Sequence, residues 1–178
     1  METRRRVSVF LPAFNEVDNL GRSVADIVWG AEQVLTEYEV LIIDDGSTDG
    51  TSDLADRLVW ENSRIRAIHQ PRNRGIAAAY ERALNEARLD CFLAADGEIA
   101  RESVRDILGS VGRAYIVAPY HQNPAARQPH RRFLTWASTA LVNVLFGQRM
   151  HYYQGPGIYP VARARCLRAR AASTSSTS

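Results

Sequence analysis

Three groups of carboxylates in this chain stand where apolar runs stop. Asp44 and Asp45 close the run Val40-Leu41-Ile42-Ile43 and open the turn Gly46-Ser47-Thr48-Asp49-Gly50. Glu16 follows Val7-Ser8-Val9-Phe10-Leu11 through Pro12, Ala13, Phe14 and Asn15. Asp96 and Glu98 follow Phe92-Leu93-Ala94-Ala95 and are two residues apart, a spacing that puts both on one face of an extended segment. As ends of parallel strands, these positions share one edge of an open α/β sheet and face the crevice where such sheets bind ligands. Carboxylates there accept from N–H and hydroxyl groups of a ligand, and the pair Asp96 and Glu98 suits Mg²⁺ completed by phosphate and water. The plainer use of the Asp44-to-Asp49 run is an Asx-type turn with a helix cap. Asp49 is expected to serve only that.

The elements that must position these groups are legible as alternating patterns. Apolar runs near 7–12, 39–44, 65–69, 91–95 and 114–118 predict strands, and the periodic segments near 17–35, 51–62, 75–88 and 101–110 predict helices. Ser47 and Asp49 offer N-cap chemistry to the second helix, and Asn73 or Arg74-Gly75 opens the third. Such alternation predicts an α/β domain with a mostly parallel sheet covered by helices. After Pro119 the pattern changes. Residues 120–132 predict a loop, residues 131–146 a helix stopped by Gly147, and residues 148–162 a turn beside a short strand. The boundaries predict one domain over 1–170 and a disordered Ala, Ser and Thr tail over 171–178.

Composition removes several chemistries. All 22 basic side chains are arginine, so a P-loop lysine and a Schiff-base lysine are both absent. The net charge of +2 hides an asymmetry. Residues 1–106 carry 13 arginines against 20 acids, whereas residues 107–178 carry 9 arginines and no acid. The second part is therefore suited to an anionic partner: phospholipid headgroups, a lipid-linked phosphate or a diphosphate. A solvated basic surface is the alternative. No nucleic-acid module accompanies the charge, so no nucleic-acid partner is expected. Cys91 and Cys166 form no zinc or disulfide pattern. Met1 to Arg6 is polar and basic and leads straight into a strand, which predicts a cytoplasmic chain. The apolar stretch 133–146 is too short to span a bilayer.

Together, Pro12-Ala13-Phe14-Asn15-Glu16 and Asp44-Asp45-Gly46-Ser47-Thr48-Asp49-Gly50-Thr51 resemble the family 2 glycosyltransferases. The resemblance continues through His69-Gln70-Pro71-Arg72-Asn73-Arg74-Gly75 and Phe92-Leu93-Ala94-Ala95-Asp96-Gly97-Glu98, is strong to about residue 106, and is nearest to the dolichol-phosphate mannose synthase-like branch. It implies a GT-A fold, Rossmann-like, and an inverting hexosyltransferase that takes a nucleotide-diphosphate sugar as donor. It assigns Pro12, Phe14, Glu16, Asp44 and Asp45 to nucleotide-sugar binding. Asp96 is placed at the catalytic centre, in the donor site and on the metal, with Glu98 as the second metal ligand. The family's D-x-D motif binds Mg²⁺ or Mn²⁺, and here Ala94 stands where its first carboxylate belongs. Either the pair retains a weaker metal site, or metal affinity is lost. Arg72 and Arg74 offer charge to a pyrophosphate or form an exposed loop pair.

The acceptor side is read from what is missing. A hydroxyl acceptor needs a general base, and no Asp or Glu follows Asp106. A phosphate acceptor is already a nucleophile and needs cations, which arginine forks supply bidentately. Arg127, Arg131 and Arg132 precede the apolar helix and are the candidates for an acceptor phosphate at a membrane surface. His121, His130 and His151 keep a hydroxyl acceptor open as alternative bases. The helix is otherwise an ordinary core helix, or meets a twin subunit, so a homo-oligomer stays open. The remaining alternative is a degenerate, non-catalytic nucleotide-sugar-binding module, motivated by Ala94.

Overall fold

In the computed structural model, the described residues are 6–95, 97, 99–114, 116–117, 129–147 and 157–175, with backbone alone at 129–133, 135, 146 and 170–175. They build five strands, β1 (Arg6–Ala13), β2 (Glu37–Asp44), β3 (Ile65–His69), β4 (Cys91–Ala94) and β5 (Ile158–Pro160). The helices are α1 (Leu20–Val34), α2 (Thr51–Glu61), α3 (Ile76–Glu86), α4 (Arg101–Gly109), α5 (Pro129–Phe146) and α6 (Val161–Ser175). The sheet order is β3-β2-β1-β4-β5. The first four strands are mutually parallel and β5 runs antiparallel to β4.

Side-chain alternation assigns each strand residue to one of two layers. Val7, Val9 and Leu11 of β1 and Val40 and Ile42 of β2 pack with Leu20, Val24 and Ile27 of α1, Ala55 of α2, and Val104 and Leu108 of α4. Phe10, Leu41, Ile43 and Phe92 face the other way, onto Ala79, Ala83 and Leu84 of α3 and Val161 of α6. Strands buried on both faces lose the polar alternation of half-exposed ones, which is why β2 shows an unbroken apolar run. At the end of β2 remote from Asp44, the buried Glu39 accepts from Ser8 Oγ at 2.6 Å, the Arg88 amide at 2.7 Å and Arg66 Nη1 at 3.1 Å.

The last elements differ from the sequence expectation. The run near 114–118 forms no strand among the described residues; Val117 makes a single bridge to Ile158 through two reciprocal backbone bonds of 3.0 and 2.9 Å. Ala171–Ser175, expected as disordered tail, instead continue α6, because the Ala- and Arg-rich segment before them is composed of strong helix formers. Arg165 ties this helix to the sheet's cover, donating to the carbonyls of Leu84, Asn85 and Ala87 at the end of α3. The chain divides into two compact units, Met1–Val117 with Ile158–Ser178, and Ala118–Gly157. The second contains α5, followed by Gly147 at φ 61°, the left-handed turn expected after a helix. Among the described residues no helix is long and apolar enough to cross a membrane.

Candidate active site

The same alternation that sorts the core also separates the two adjacent carboxylates. Ile42 faces α1 and α2, Ile43 faces α3, and so Asp44 points to α2 while Asp45 is turned toward α3. Asp44 Oδ1 accepts from the Ser47 amide at 3.0 Å, and Oδ2 accepts from Ser52 Oγ of α2 at 2.5 Å and from His69 Nδ1 at 2.8 Å. Asp45 Oδ1 accepts from Gln70 Nε2 at 2.9 Å and the Arg74 amide at 2.8 Å, and Oδ2 from the Gly75 amide at 2.7 Å. Both are buried, at 1% and 5% exposure. Each carboxylate has about four acceptor positions, so three protein donors leave each with roughly one. Burial works to raise the Asp44 carboxyl, but the bonds from Ser47, Ser52 and His69 outweigh it and hold it below the ordinary carboxylate range.

The turn after β2 is also sewn to the loop after β1. The Asn15 amide donates to Ser47 Oγ at 3.0 Å, and Asn15 Oδ1 accepts from the Thr48 amide at 2.9 Å. The Glu16 amide donates to Thr51 Oγ1 at 2.8 Å, and the Val17 amide to Asp49 Oδ2 at 3.3 Å. Asn15 adopts φ 55°, a left-handed conformation that asparagine tolerates better than most residues. Asp49 does the local work expected of it, accepting from the Thr51 amide at 3.0 Å and Thr51 Oγ1 at 2.6 Å. The N-cap position itself is Gly50, without a side-chain cap. Gly46, at φ 77°, lets the β2–α2 turn lie against the next loop: a Cβ there would be 2.6 Å from the Arg72 carbonyl carbon.

The sequence-predicted residues Pro12, Phe14, Glu16, Asp44 and Asp45 are thus brought to one edge of the sheet. Pro12 is the penultimate residue of β1, opposite Ile43, with Ala13 opposite Asp44. Phe14 is 44% exposed at the rim, and Glu16 is exposed with Oε2 accepting from Asn19 Nδ2 at 3.0 Å. Arg72 and Arg74 are exposed in the loop after β3. Asp96, Glu98 and Arg127 lie outside the described residues, and Arg131 and Arg132 are placed on α5 by backbone only. Sequence reasoning missed Asn15, Ser52, His69 and Gln70. His69 ends β3 in register with Asp44, a relation that appears only once β3 pairs with β2.

Between Asp96 and Glu98, Gly97 is held from α1. The Ser23 hydroxyl is 3.0 Å from the Gly97 carbonyl and 3.1 Å from that of Asn19. The Ala95 amide donates to the Phe10 carbonyl at 2.8 Å, so the segment leaves β4 beside the middle of β1. As residue types, Asp96 and Glu98 offer only oxygen donors, the chemistry that suits Mg²⁺ or Mn²⁺. Ala94 adds a methyl group and no ligand.

The profile of Glycosyl transferase family 2 matches residues 8–170. The chain is 25% identical over 151 residues to an undecaprenyl-phosphate mannosyltransferase of Micrococcus luteus, covering 80% of this chain and 60% of that protein. Its fold is similar to mannosyl-3-phosphoglycerate synthase of Rubrobacter xylanophilus, with a TM-score of 0.66, 21% identity and coverage of 88% and 53% of the two chains. It is also similar to a Pyrobaculum calidifontis mannosyltransferase in complex with GDP-Man and Mn²⁺, with a TM-score of 0.53, 20% identity and coverage of 72% and 37%. The chain spans less than two thirds of the length of the curated relatives it matches. These likenesses identify the five-stranded architecture as a GT-A fold.

Proposed function

Because the chain belongs to glycosyl transferase family 2, we propose that it transfers a hexose from a nucleotide-diphosphate sugar to a lipid-linked phosphate of the polyprenyl or dolichyl type, with inversion. The observation that carries the donor half is the pinned edge described above, where three consecutive βα loops are cross-linked around Asp44 and Asp45. A rigid edge of this kind holds a nucleotide without reorganising as it binds. Phe14 and Glu16 form its exposed rim, Asp45 offers the remaining acceptor position, and Asp44 supports the turn from beneath.

Asp96 and Glu98 would hold Mg²⁺ or Mn²⁺ with the diphosphate. When bound, such a cation neutralises charge developing on the leaving diphosphate. The Mn²⁺ in the Pyrobaculum mannosyltransferase supports a divalent cation.

The acceptor half rests on the absence of acids after Asp106 and on Arg127, Arg131 and Arg132. Leu134, Leu141 and Leu145 recur at helical spacing on α5 and are exposed, which suits a helix lying on a lipid surface beside arginines that meet phosphate. The Micrococcus relative, whose acceptor is undecaprenyl phosphate, supports the same class. A second reading, a non-catalytic nucleotide-sugar-binding module, is favoured by Ala94 alone.

Calorimetric titration with UDP and with GDP, each with Mn²⁺, with Mg²⁺ and with EDTA, tests the donor half. Binding of one nucleotide strengthened by metal is the expected result. Metal-independent binding favours the non-catalytic reading, and no binding by folded protein sinks both.

A further inference from the structure

His69 touches two carboxylates, one with each ring nitrogen. Nδ1 is 2.8 Å from Asp44 Oδ2 and Nε2 is 3.1 Å from Asp56 Oδ1. A carboxylate accepts and does not donate when ionised, so both bonds exist together only if both nitrogens carry protons. A neutral imidazole must give up one. The same Asp44 oxygen also takes the Ser52 hydroxyl, and its other oxygen holds the Ser47 amide, so the ring is joined through one carboxylate to both ends of the β2–α2 turn.

The charged groups around the ring are few. Asp44 faces it from β2 and Asp56 from α2. Across a cavity of about 320 Å³ stand Arg74 from the loop and Glu81 and Arg82 from α3. Glu81 is paired with Arg168 and Arg82 with Glu86. The ring is 37% exposed, so solvent protons reach it. Burial disfavours its charge, but the bonds to Asp44 and Asp56 outweigh burial, and the imidazole stays protonated above the ordinary histidine value.

We infer that His69 is a positioning residue: held as an imidazolium between Asp44 and Asp56, it locks the β2–α2 turn, and the order of that turn falls as the ring loses its proton. The sign follows from linkage. The stabilisation is complete below the unfolded histidine value and is lost as pH rises through the folded one. Resting on the donor-site reading above, the consequence is nucleotide affinity that declines on the alkaline side.

Nuclear magnetic resonance decides the matter without a ligand. Ring ¹⁵N shifts of His69 should show both nitrogens protonated at neutral pH, and Asp56→Asn, at a site 70% exposed, should lower the titration midpoint while leaving the fold intact. Exchange of the Ser47 amide, corrected for its intrinsic rate, should accelerate on the order of tenfold across that titration, as expected for losing a charge-assisted bond. In His69→Gln that pH dependence should vanish. A neutral tautomer at neutral pH, or a Ser47 amide indifferent to the titration, overturns the inference. UDP and GDP affinities measured on the same samples separate the two readings: no binding at any pH sinks the donor site, while the ring and amide signals still decide the role of His69.

Discussion

The Ser23 hydroxyl of α1 lies 3.0 Å from the Gly97 carbonyl, and a Cβ added at Gly97 would sit 2.9 Å from the same oxygen. One side chain therefore both holds Gly97 and has to give way to any larger residue there. Gly97→Ala is expected to raise the Mn²⁺ concentration needed for nucleotide binding. Ser23→Ala should cost about 1 kcal/mol as a lost hydrogen bond. Combined, the two should be milder than the sum of the singles, because only the Ser23 Cβ at 3.7 Å then faces the new methyl. A double-mutant cycle on urea midpoints measures the coupling; strict additivity would refute the contact.

Gly46→Ala is expected to be far more disruptive. Its φ of 77° is costly for alanine, and the new methyl would meet backbone of Arg72 and Asn73 between 2.6 and 2.9 Å away. Backbone cannot rotate aside as a side chain can. A loss of roughly 2–4 kcal/mol is expected, read from denaturant unfolding, together with weaker nucleotide binding.

Asp45→Ala removes the acceptor for the Arg74 and Gly75 amides, the cross-link between the second and third loops. The Arg74 amide loses its acceptor while the Gly75 amide keeps only Asn73 Oδ1 at 3.0 Å, so a loss of about 1–3 kcal/mol is expected. Hydrogen exchange at Arg74 and Gly75 should accelerate while that at Ser47, held by Asp44, changes little. Equal acceleration at all three would mean that the two carboxylates do not divide the edge as described.

Stability should fall on both sides of a plateau. The depressed Asp44 carboxyl contributes stability above its unfolded value of 3.8, lost as pH falls through the lower folded one. The raised His69 contributes below its unfolded value of 6.5, lost as pH rises through the higher folded one. Chemical denaturation as a function of pH should therefore show its maximum between these values. Asp44→Asn should flatten both limbs.

Ala94→Asp restores the carboxylate that the family motif carries. A large gain in metal-dependent turnover is expected if the natural site is impaired, and little change if Asp96 and Glu98 suffice. Turnover at several Mn²⁺ concentrations distinguishes these.

Much of this architecture was legible because its causes are local. Val40–Ile43 and Phe92–Leu93 announce buried strands by composition, and Asp44-Asp45 mark the candidate site's edge by following one of them. What escaped depends on register and partner. Nothing in His69 or its neighbours says that it sits beside Asp44; that follows only once β3 pairs with β2. Strand β5 falls within the 148–162 segment where the sequence predicts a short strand, but at three residues it carries no sign of its antiparallel pairing with β4. Helix α6 is nearly uniform in arginine and alanine, so no apolar stripe marks its inner face, which is identified by Arg165 reaching the end of α3.

The two backbone bonds between Val117 and Ile158 give the chain a clasp. The segment from Ala118 to Gly157 leaves and re-enters the first unit at a single point, so the closure entropy of that excursion is met by the clasp and depends only weakly on its length. Lengthening, shortening or exchanging this excursion is therefore expected to leave the sheet edge at Asp44 and Asp45 as it is.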